Sequence, residues 1–369
     1  MSRRVRENPR FLREQILTYL GNKRSLLGFI GRGVQRVRRR LGWRPLRCFD
    51  AFAGSGVVSR YLKGYASCLY ANDLEPYAEV MGRCYLANRE QVALEELRRC
   101  FREVRERVES RLAPGFLTEM YAPADDGRIR PGERVFYTRR NAMYLDTARQ
   151  VIGELPGEMQ PFFLAPLLYE ASVHTNTSGV FKGFYKNRQG VGQFGGEGRH
   201  ALSRILADVQ LRLPVLSRFS AECHVLRMDA AAAARAIPEV DLAYLDPPYN
   251  QHPYGSNYFM LNLLLEYRRP DRVSAVSGIP PVWNRSAYNA RGQVRQALEE
   301  LLAALKARFV LVSYNSEGFL GVQEMEAMLR RYGRVEMMQQ EYATFRGCRN
   351  LHARPLRVHE CLFLLERGD

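Results

Sequence analysis

The sequence predicts an α/β protein with an open, mostly parallel Rossmann-like sheet, a C-terminal antiparallel hairpin, flanking helices and an inserted, mainly helical lobe. Three observations predict it. A strand, a small-residue turn, a helix and a second strand follow one another early in the chain, within the roughly 30 residues of a βαβ unit. Long helical patterns then take over from about residue 80 to 220. Strand patterns return only after that, and the last two alternate on either side of a polar connection.

Taken in order, a helical pattern begins near Asn22 and ends in Arg36, Arg38, Arg39 and Arg40, which read as a solvated cationic face. RCFDAF (47–52) is a short buried strand running into AGSG, with a helix from about Val57, and SCLYAND (67–73) is the second strand. The stretch EELRRCFREVRERVESRL and the Gly/Pro-containing segments after it form the inserted lobe, including a loop near 174–199 that mixes Gly, aromatic and basic residues. The sheet resumes at ECHVLRMDA (222–230), DLAYLD (241–246) and ARFVLVSYN (307–315), the last preceded by a helix over 291–306. RVEMMQQEYATF (334–345) and RVHECLFLLER (357–367) form the closing hairpin.

With 369 residues, 46% of them hydrophobic, the chain can bury the core of one large domain or two ordinary ones. Its 55 Lys+Arg against 39 Asp+Glu give a formal charge of +16, which favours a polyanionic partner or an anionic membrane surface. No apolar run approaches the roughly 18 residues of a membrane span, and MSRRVRENPRFLREQ lacks the apolar core of a secretory signal, so a cytoplasmic protein is expected. The cysteines at 48, 68, 84, 100, 223, 348 and 361 are scattered and odd in number, and the six histidines are dispersed; reduced thiols and no metal are expected.

The sharpest chemical signal is Asp246-Pro247-Pro248-Tyr249, directly after the apolar strand LAYL, where open α/β sheets bind ligands. This pattern suits methylation of an aromatic amine, whose nitrogen lone pair is delocalised into the ring and must be drawn toward tetrahedral geometry. The Asp246 carboxylate and the Pro247 carbonyl can accept the amine hydrogens, in a segment that two prolines stiffen and strip of N–H donors. Tyr249 can stack on the target ring. The bland alternative is a Pro-Pro turn with an Asp cap.

A second signal is Asp50-Ala-Phe52-Ala-Gly54-Ser-Gly56 at the first strand's end. Its glycines permit a tight turn and close backbone approach to a ligand, although an ordinary strand-to-helix turn reads the same way. Asp73 ends the next strand, where an acid can bind both ribose hydroxyls of a nucleoside cofactor or can cap the helix beginning at Glu75-Pro76. Asp229 can accept from a cofactor's adenine amine or cap the Ala-rich helix 230–236. Tyr19-Leu-Gly21-Asn22-Lys23-Arg24 offers a glycine and cations ahead of a helix, suited to a carboxylate or phosphate, or simply to a solvated helix start.

In this order the motifs resemble the Dam-type, alpha-group family of DNA adenine methyltransferases: Gly21-Asn22-Lys23, Phe52-Ala-Gly54-Ser-Gly56, Asp73, a helical lobe and Asp246-Pro247-Pro248-Tyr249. The resemblance extends to Asn176-Thr-Ser-Gly179-Val, Ser313-Tyr314-Asn315 and Phe345-Arg346-Gly347-Cys348-Arg349-Asn350. It implies S-adenosylmethionine as cofactor, with Tyr19, Lys23, Asp73 and Asp246 lining its pocket and the D-P-P-Y loop receiving the target base. It also implies a catalytic domain formed by residues 1–79 and 221–369 around a target-recognition lobe, 80–220. Asp50 departs from the Glu-Pro many relatives carry there, which leaves open how residue 50 meets the cofactor's amino group.

An amine inside a duplex cannot be reached in line by a bound sulfonium, so the adenine must be flipped out beside Tyr249. Recognition is expected in Gly179-Val-Phe181-Lys182-Gly183-Phe184-Tyr185-Lys186-Asn187-Arg188-Gln189, with Lys182, Lys186 and Arg188 on phosphates; a solvated charged loop is the alternative. Tyr254 and Tyr258 either brace DNA or cofactor or pack on the helix after them. No Pro-Cys nucleophile pair of the cytosine-carbon enzymes occurs. Rival readings are transfer to a cytosine amine, an RNA base or a glutamine amide, and a catalytically silent nucleic-acid-binding relative. The expected partners are double-stranded DNA and a separately acting restriction endonuclease, with the enzyme a monomer.

Overall fold

The computed structural model describes residues 6–196, 198, 201–343 and 357–368. The opening residues 1–5, and the Phe345–Asn350 motif with Cys348, lie outside them. One seven-stranded sheet has the order β3-β2-β1-β4-β5-β7-β6, where β1 is Leu46–Asp50, β2 Ala66–Asp73, β3 Glu222–Arg227, β4 Val240–Leu245, β5 Ala307–Asn315, β6 Gly333–Ala343 and β7 Arg357–Arg367. The first five in this order pair in parallel, and β5, β7 and β6 pair antiparallel, so the closing hairpin forms as its alternation predicts.

Both faces are covered, which is why β4 and β5 read as nearly continuous apolar runs. On one face the helices Leu27–Arg40 and Val57–Lys63 bury Leu46, Cys48, Leu69, Leu242, Tyr244, Phe309, Leu311, Leu362 and Leu364. Ala230–Ala236, Val294–Ala304 and Val322–Arg330 cover the other. The pattern expected from Asn22 begins as a 3-10 turn, Lys23–Leu26, because the Asn22 side chain accepts from Arg24 N at 2.9 Å and caps it. The cationic end of Leu27–Arg40 is more than a solvated face: Arg36 and Arg40 pair with Glu336 on β6, and Arg40 also with Glu366 on β7, clamping the helix to the antiparallel edge.

Between β2 and β3 the helices Pro76–Tyr85, Leu94–Ser110, Phe116–Tyr121, Arg139–Gly153 and Gln160–Val173 build a separate hydrophobic core. That core also takes in Tyr258 to Leu265, so the helix Phe259–Glu266 after the D-P-P-Y segment anchors the helical layer to the sheet.

The order reverses at β1 and β4, with β2 and β3 on one side and β5 on the other, and this switch opens a crevice at the strands' carboxyl ends. Asn72 braces it. Fully buried, its Nδ2 donates to Ala51 O at 3.2 Å and Met228 O at 3.1 Å, and its Oδ1 accepts from Met228 N at 3.2 Å, tying the ends of β1, β2 and β3. Replacing Asn72 by Leu strands these backbone groups, and urea unfolding is expected to show a loss of about 1–3 kcal/mol.

Candidate active site

Four strand ends contribute to the crevice. After β1 the chain turns through Ala51–Ser55, with Gly54 at φ +53° and Gly56 at φ +76°, a region that glycine enters without strain. Gly54 N donates to Asp73 Oδ2 at 2.7 Å, and Glu75 N donates to Asp73 Oδ1 at 2.9 Å, so the acid ending β2 holds the glycine turn. A Cβ on Gly54 would meet the Tyr19 ring at 3.0 Å, because that ring lies directly over the turn. Asp229, after β3, accepts from Ala231 N and Ala232 N at 2.9 and 3.1 Å and thus caps Ala230–Ala236 while also lining the cleft. Asp246 follows β4.

These strand ends open onto one cleft, which the N-terminal segment and residues 284–289 also line. Of the residues singled out from sequence, Tyr19, Gly21, Lys23, Phe52, Gly54, Asp73, Asp229, Asp246 and Pro248 line it. Asp50, Gly56, Pro247 and Tyr249 adjoin lining residues in the chain without lining the cleft themselves, and Lys182, Lys186 and Arg188 are exposed on the neighbouring loop. That loop packs beside the D-P-P-Y exit: Phe181 N donates to Asn257 O at 2.7 Å, and the Lys182 charge helps depress the His252 pKa after burial has lowered it.

Lys23 is buried and its charge is committed within the protein. Nζ lies 3.0 Å from Asp246 Oδ1 and 3.3 Å from Glu360 Oε1 of β7, and Glu360 Oε1 accepts from Ser313 Oγ at 2.7 Å. Burial alone would depress this ammonium; Asp246 and then Glu360 outweigh it and hold the pKa well above the ordinary lysine range. Burial pushes Asp246 up to about 6, against Lys23, with Glu360 adding to the rise. Asp50 is pushed up to about 7 by burial; its Oδ2 accepts from Ser59 Oγ at 2.6 Å, and its Oδ1 is a buried acceptor without a hydrogen-bond partner. An orphaned carboxylate oxygen beside a glycine turn is an acceptor to which an ammonium group can donate.

Several lining residues carry no sequence signal. Glu75 is buried, accepts from Asn262 Nδ2 at 2.8 Å and Asn284 Nδ2 at 3.3 Å, and is pushed up to about 7 by burial. Asn284–Asn289 forms a further wall, with Tyr288 set edge-on to Phe52 at 4.9 Å and Asn289 donating to Asn250 O at 2.8 Å. Tyr254 and Tyr258 stack on Tyr19 at 4.9 and 4.6 Å, and the Tyr258 hydroxyl accepts from Leu20 N at 2.6 Å, so these rings bind the N-terminal segment to the cleft. Away from it, parallel pairing of Cys68 with Glu222 and of Tyr70 with His224 gathers Cys68, Glu222 and His224 within ligating distance of one metal ion, a grouping no sequence spacing announces.

A family model described as D12 class N6 adenine-specific DNA methyltransferase matches residues 19–328, stopping short of β6 and β7. The type II methyltransferase M.NlaIII of Neisseria lactamica is 27% identical over 362 residues, covering 95% of this chain and 99% of that protein. M.CviAII of Paramecium bursaria Chlorella virus 1 is 28% identical over 343 residues, covering 89% and 92%. The modification methylase LlaI of Lactococcus lactis subsp. lactis is 26% identical over 343 residues, 89% of this chain but 51% of its own length.

The raised carboxyls set a pH dependence. Asp50 binds its proton more tightly in the fold, at about 7, than in the open chain, at its ordinary 3.8, so its stability contribution is full below about 4 and lost as pH rises through 7. Asp50→Asn removes that loss. Its melting temperature should exceed that of the unsubstituted protein at pH 8, with the gap closing toward pH 4.

Proposed function

The chain belongs to the D12 class of N6 adenine-specific DNA methyltransferases, and on that premise we propose that its cleft binds S-adenosylmethionine and receives a flipped adenine against Asp246-Pro247-Pro248-Tyr249. The chain is a site-specific DNA adenine methyltransferase, and the proposal concerns which residues do the work. The observation that carries it is convergence: Gly54, Asp73, Asp229 and Asp246, each after a different strand, line one cleft.

In this reading Asp73, already holding Gly54 N, accepts from the ribose hydroxyls and fixes them against the turn. Asp229 meets the cofactor's adenine amine, Phe52 and Tyr288 flank that ring, and the unpartnered Asp50 oxygen attracts the amino-acid ammonium. When bound, S-adenosylmethionine supplies an electrophilic methyl with a good leaving group, so the protein's task is to position and polarise. Asp246 and the Pro247 carbonyl accept the two amine hydrogens and draw the nitrogen lone pair out of the ring, and Tyr249 holds the ring's plane. Lys182, Lys186 and Arg188, on the loop beside the D-P-P-Y exit, neutralise phosphates flanking the flipped base. We extend the reading to a lobe of residues 80–220 that selects the DNA site, to a monomer acting on duplex DNA, and, by likeness to the type II relatives, to a separately acting endonuclease that shares the site.

Methylation-aware sequencing of DNA from cells expressing the chain should find N6-methyladenine in one sequence context. Asp246→Ala should lower single-turnover methyl transfer by at least about 10²–10³-fold while isothermal titration still detects cofactor binding. Cofactor binding lost together with transfer would overturn Asp246's assigned role. Joint replacement of Lys182, Lys186 and Arg188 by Ala should weaken DNA binding and reduce the slope of log K against log salt by about one for each phosphate no longer neutralised, with cofactor affinity unchanged.

A further inference from the structure

Alternation along three strands aims their side chains at one point. Leu242, Tyr244 and Asp246 follow one row; Phe309, Leu311 and Ser313 a second; Leu364, Leu362 and Glu360 a third. The apolar part of each row is buried, and toward the crevice the rows turn polar at Asp246, Ser313 and Glu360. Asp246 and Glu360 meet at Lys23, which begins the turn leading into the helix Leu27–Arg40, and Ser313 Oγ donates to Glu360. A strand position otherwise filled by leucine, with the side chain 3% exposed, is a costly place for a carboxylate. Holding Lys23 in place does not explain it, since Asp246 alone would pair the ammonium. Two carboxylates around one ammonium leave the cluster with one negative charge in surplus, beside the atoms where the amine must give up a proton.

We propose that Glu360 is a positioning residue for methyl transfer, acting through Lys23 to hold the Asp246 carboxylate in place and to keep it able to take the proton the amine releases. The inference rests on the reading of Asp246 given above. In the step, the amine nitrogen's lone pair forms the new bond to the methyl carbon, and the carbon–sulfur bond breaks with its electron pair going to sulfur. The proton lost from nitrogen passes to Asp246, bringing the cluster from a net charge of −1 to neutral. With Lys23 between two carboxylates rather than beside one, Asp246 is less completely neutralised and remains a base.

The charged and titratable groups that face Asp246 come from every element around it. They are Lys23 from the N-terminal segment, Asp50 from β1, Tyr244 from β4, Tyr249 and Tyr254 from the segments that follow, and Glu360 from β7; Ser313 of β5 orients the last. Glu360 reaches the cluster without lining the cleft and is assigned to neither cofactor nor base, so it can be changed without removing a contact to either.

The test is Glu360→Gln in the full chain, with single-turnover methylation measured across pH and cofactor affinity by titration. The expected result is a fall in transfer rate of about 10–100-fold near neutral pH with cofactor affinity within about threefold. Removing a like charge lowers the Asp246 pKa, so the acid limb should move to lower pH by about one unit. A second readout needs no turnover. Asp246, at about 6 in the fold against its ordinary 3.8, gives stability that is lost as pH rises through about 6, and in the cofactor-free variant this loss should shift to lower pH. An unmoved acid limb with a melting temperature lowered equally at all pH values would mean a merely structural Glu360 and would overturn the proposal. So would an unchanged transfer rate. If Glu360→Gln does not fold, Ser313→Ala, which removes the bond orienting Glu360, should move both readouts the same way by less, and its failure to do so is equally decisive. Methyl transfer persisting in Asp246→Ala would instead refute the reading on which this one stands, so the two failures are distinguishable.

Discussion

The ammonium of Lys23, buried between Asp246 and Glu360, is the constraint on which the site's geometry depends. An unpaired charge at that depth would cost several kcal/mol, so wherever Lys23 goes the two carboxylates must follow. It couples three parts of the chain that have no covalent reason to meet: the segment before the first helix, the end of β4, and the antiparallel strand β7. Removing Lys23 would leave two buried carboxylates facing each other without a counter-charge, which makes the ammonium the member the others cannot do without. The D-P-P-Y segment is therefore held by more than its own prolines. Its first residue is pinned from behind by an ion pair whose far end lies two strands away across the sheet.

Around that point the fold solves a conflict between burial and polarity. A sheet covered on both faces needs apolar rows, whereas a cleft for a polar cofactor needs carboxylates and amides. The strands change character at their last residues, where the order reverses and the covering helices part. Asn72 closes the hydrogen bonds that this change would leave open, and Asp73 turns a loose glycine loop into a fixed one. The stack of Tyr19 on Tyr254 and Tyr258 does the same for the N-terminal segment, laying an aromatic surface closely over Gly54, whose φ of +53° favours glycine.

This division also accounts for what the sequence could and could not disclose. The strands were legible because period-two alternation and short apolar runs bounded by turns fit few elements besides strands, and Asp246, Gly54 and Asp73 were legible because each sits at a strand end with a local chemical signature. Glu75, Asn284 and Tyr288 were not, since they reach the cleft through packing between segments far apart in sequence. Glu360 is intermediate. In VHECLFLLE it falls on the inward row with Leu362 and Leu364, and a carboxylate on an apolar row is a visible anomaly, though only sheet register reveals its partner. Lys23 was placed at the right wall from its motif, but as a cation open to a ligand. The carboxylates that claim it come from beyond residue 240, and no local pattern could supply them.

The distribution of charge sets how the two substrates approach. The chain carries a formal +16, yet the cleft is lined by Asp73, Glu75, Asp229 and Asp246 against Arg285, with Lys23 already neutralised. On the proposed reading, a cationic sulfonium and ammonium would be drawn into such a cavity, whereas a phosphate would be repelled from it and held on the exposed cations outside. On the proposed reading the nucleotide is thereby split: its backbone stays on Lys182, Lys186 and Arg188 while its neutral base alone can enter. Rotation of the base out of the stack is the movement that satisfies both halves, because it separates ring from phosphate without carrying negative charge into a carboxylate-lined pocket. On that reading Asp246, which polarises the amine, also helps the other carboxylates exclude the wrong end of the substrate.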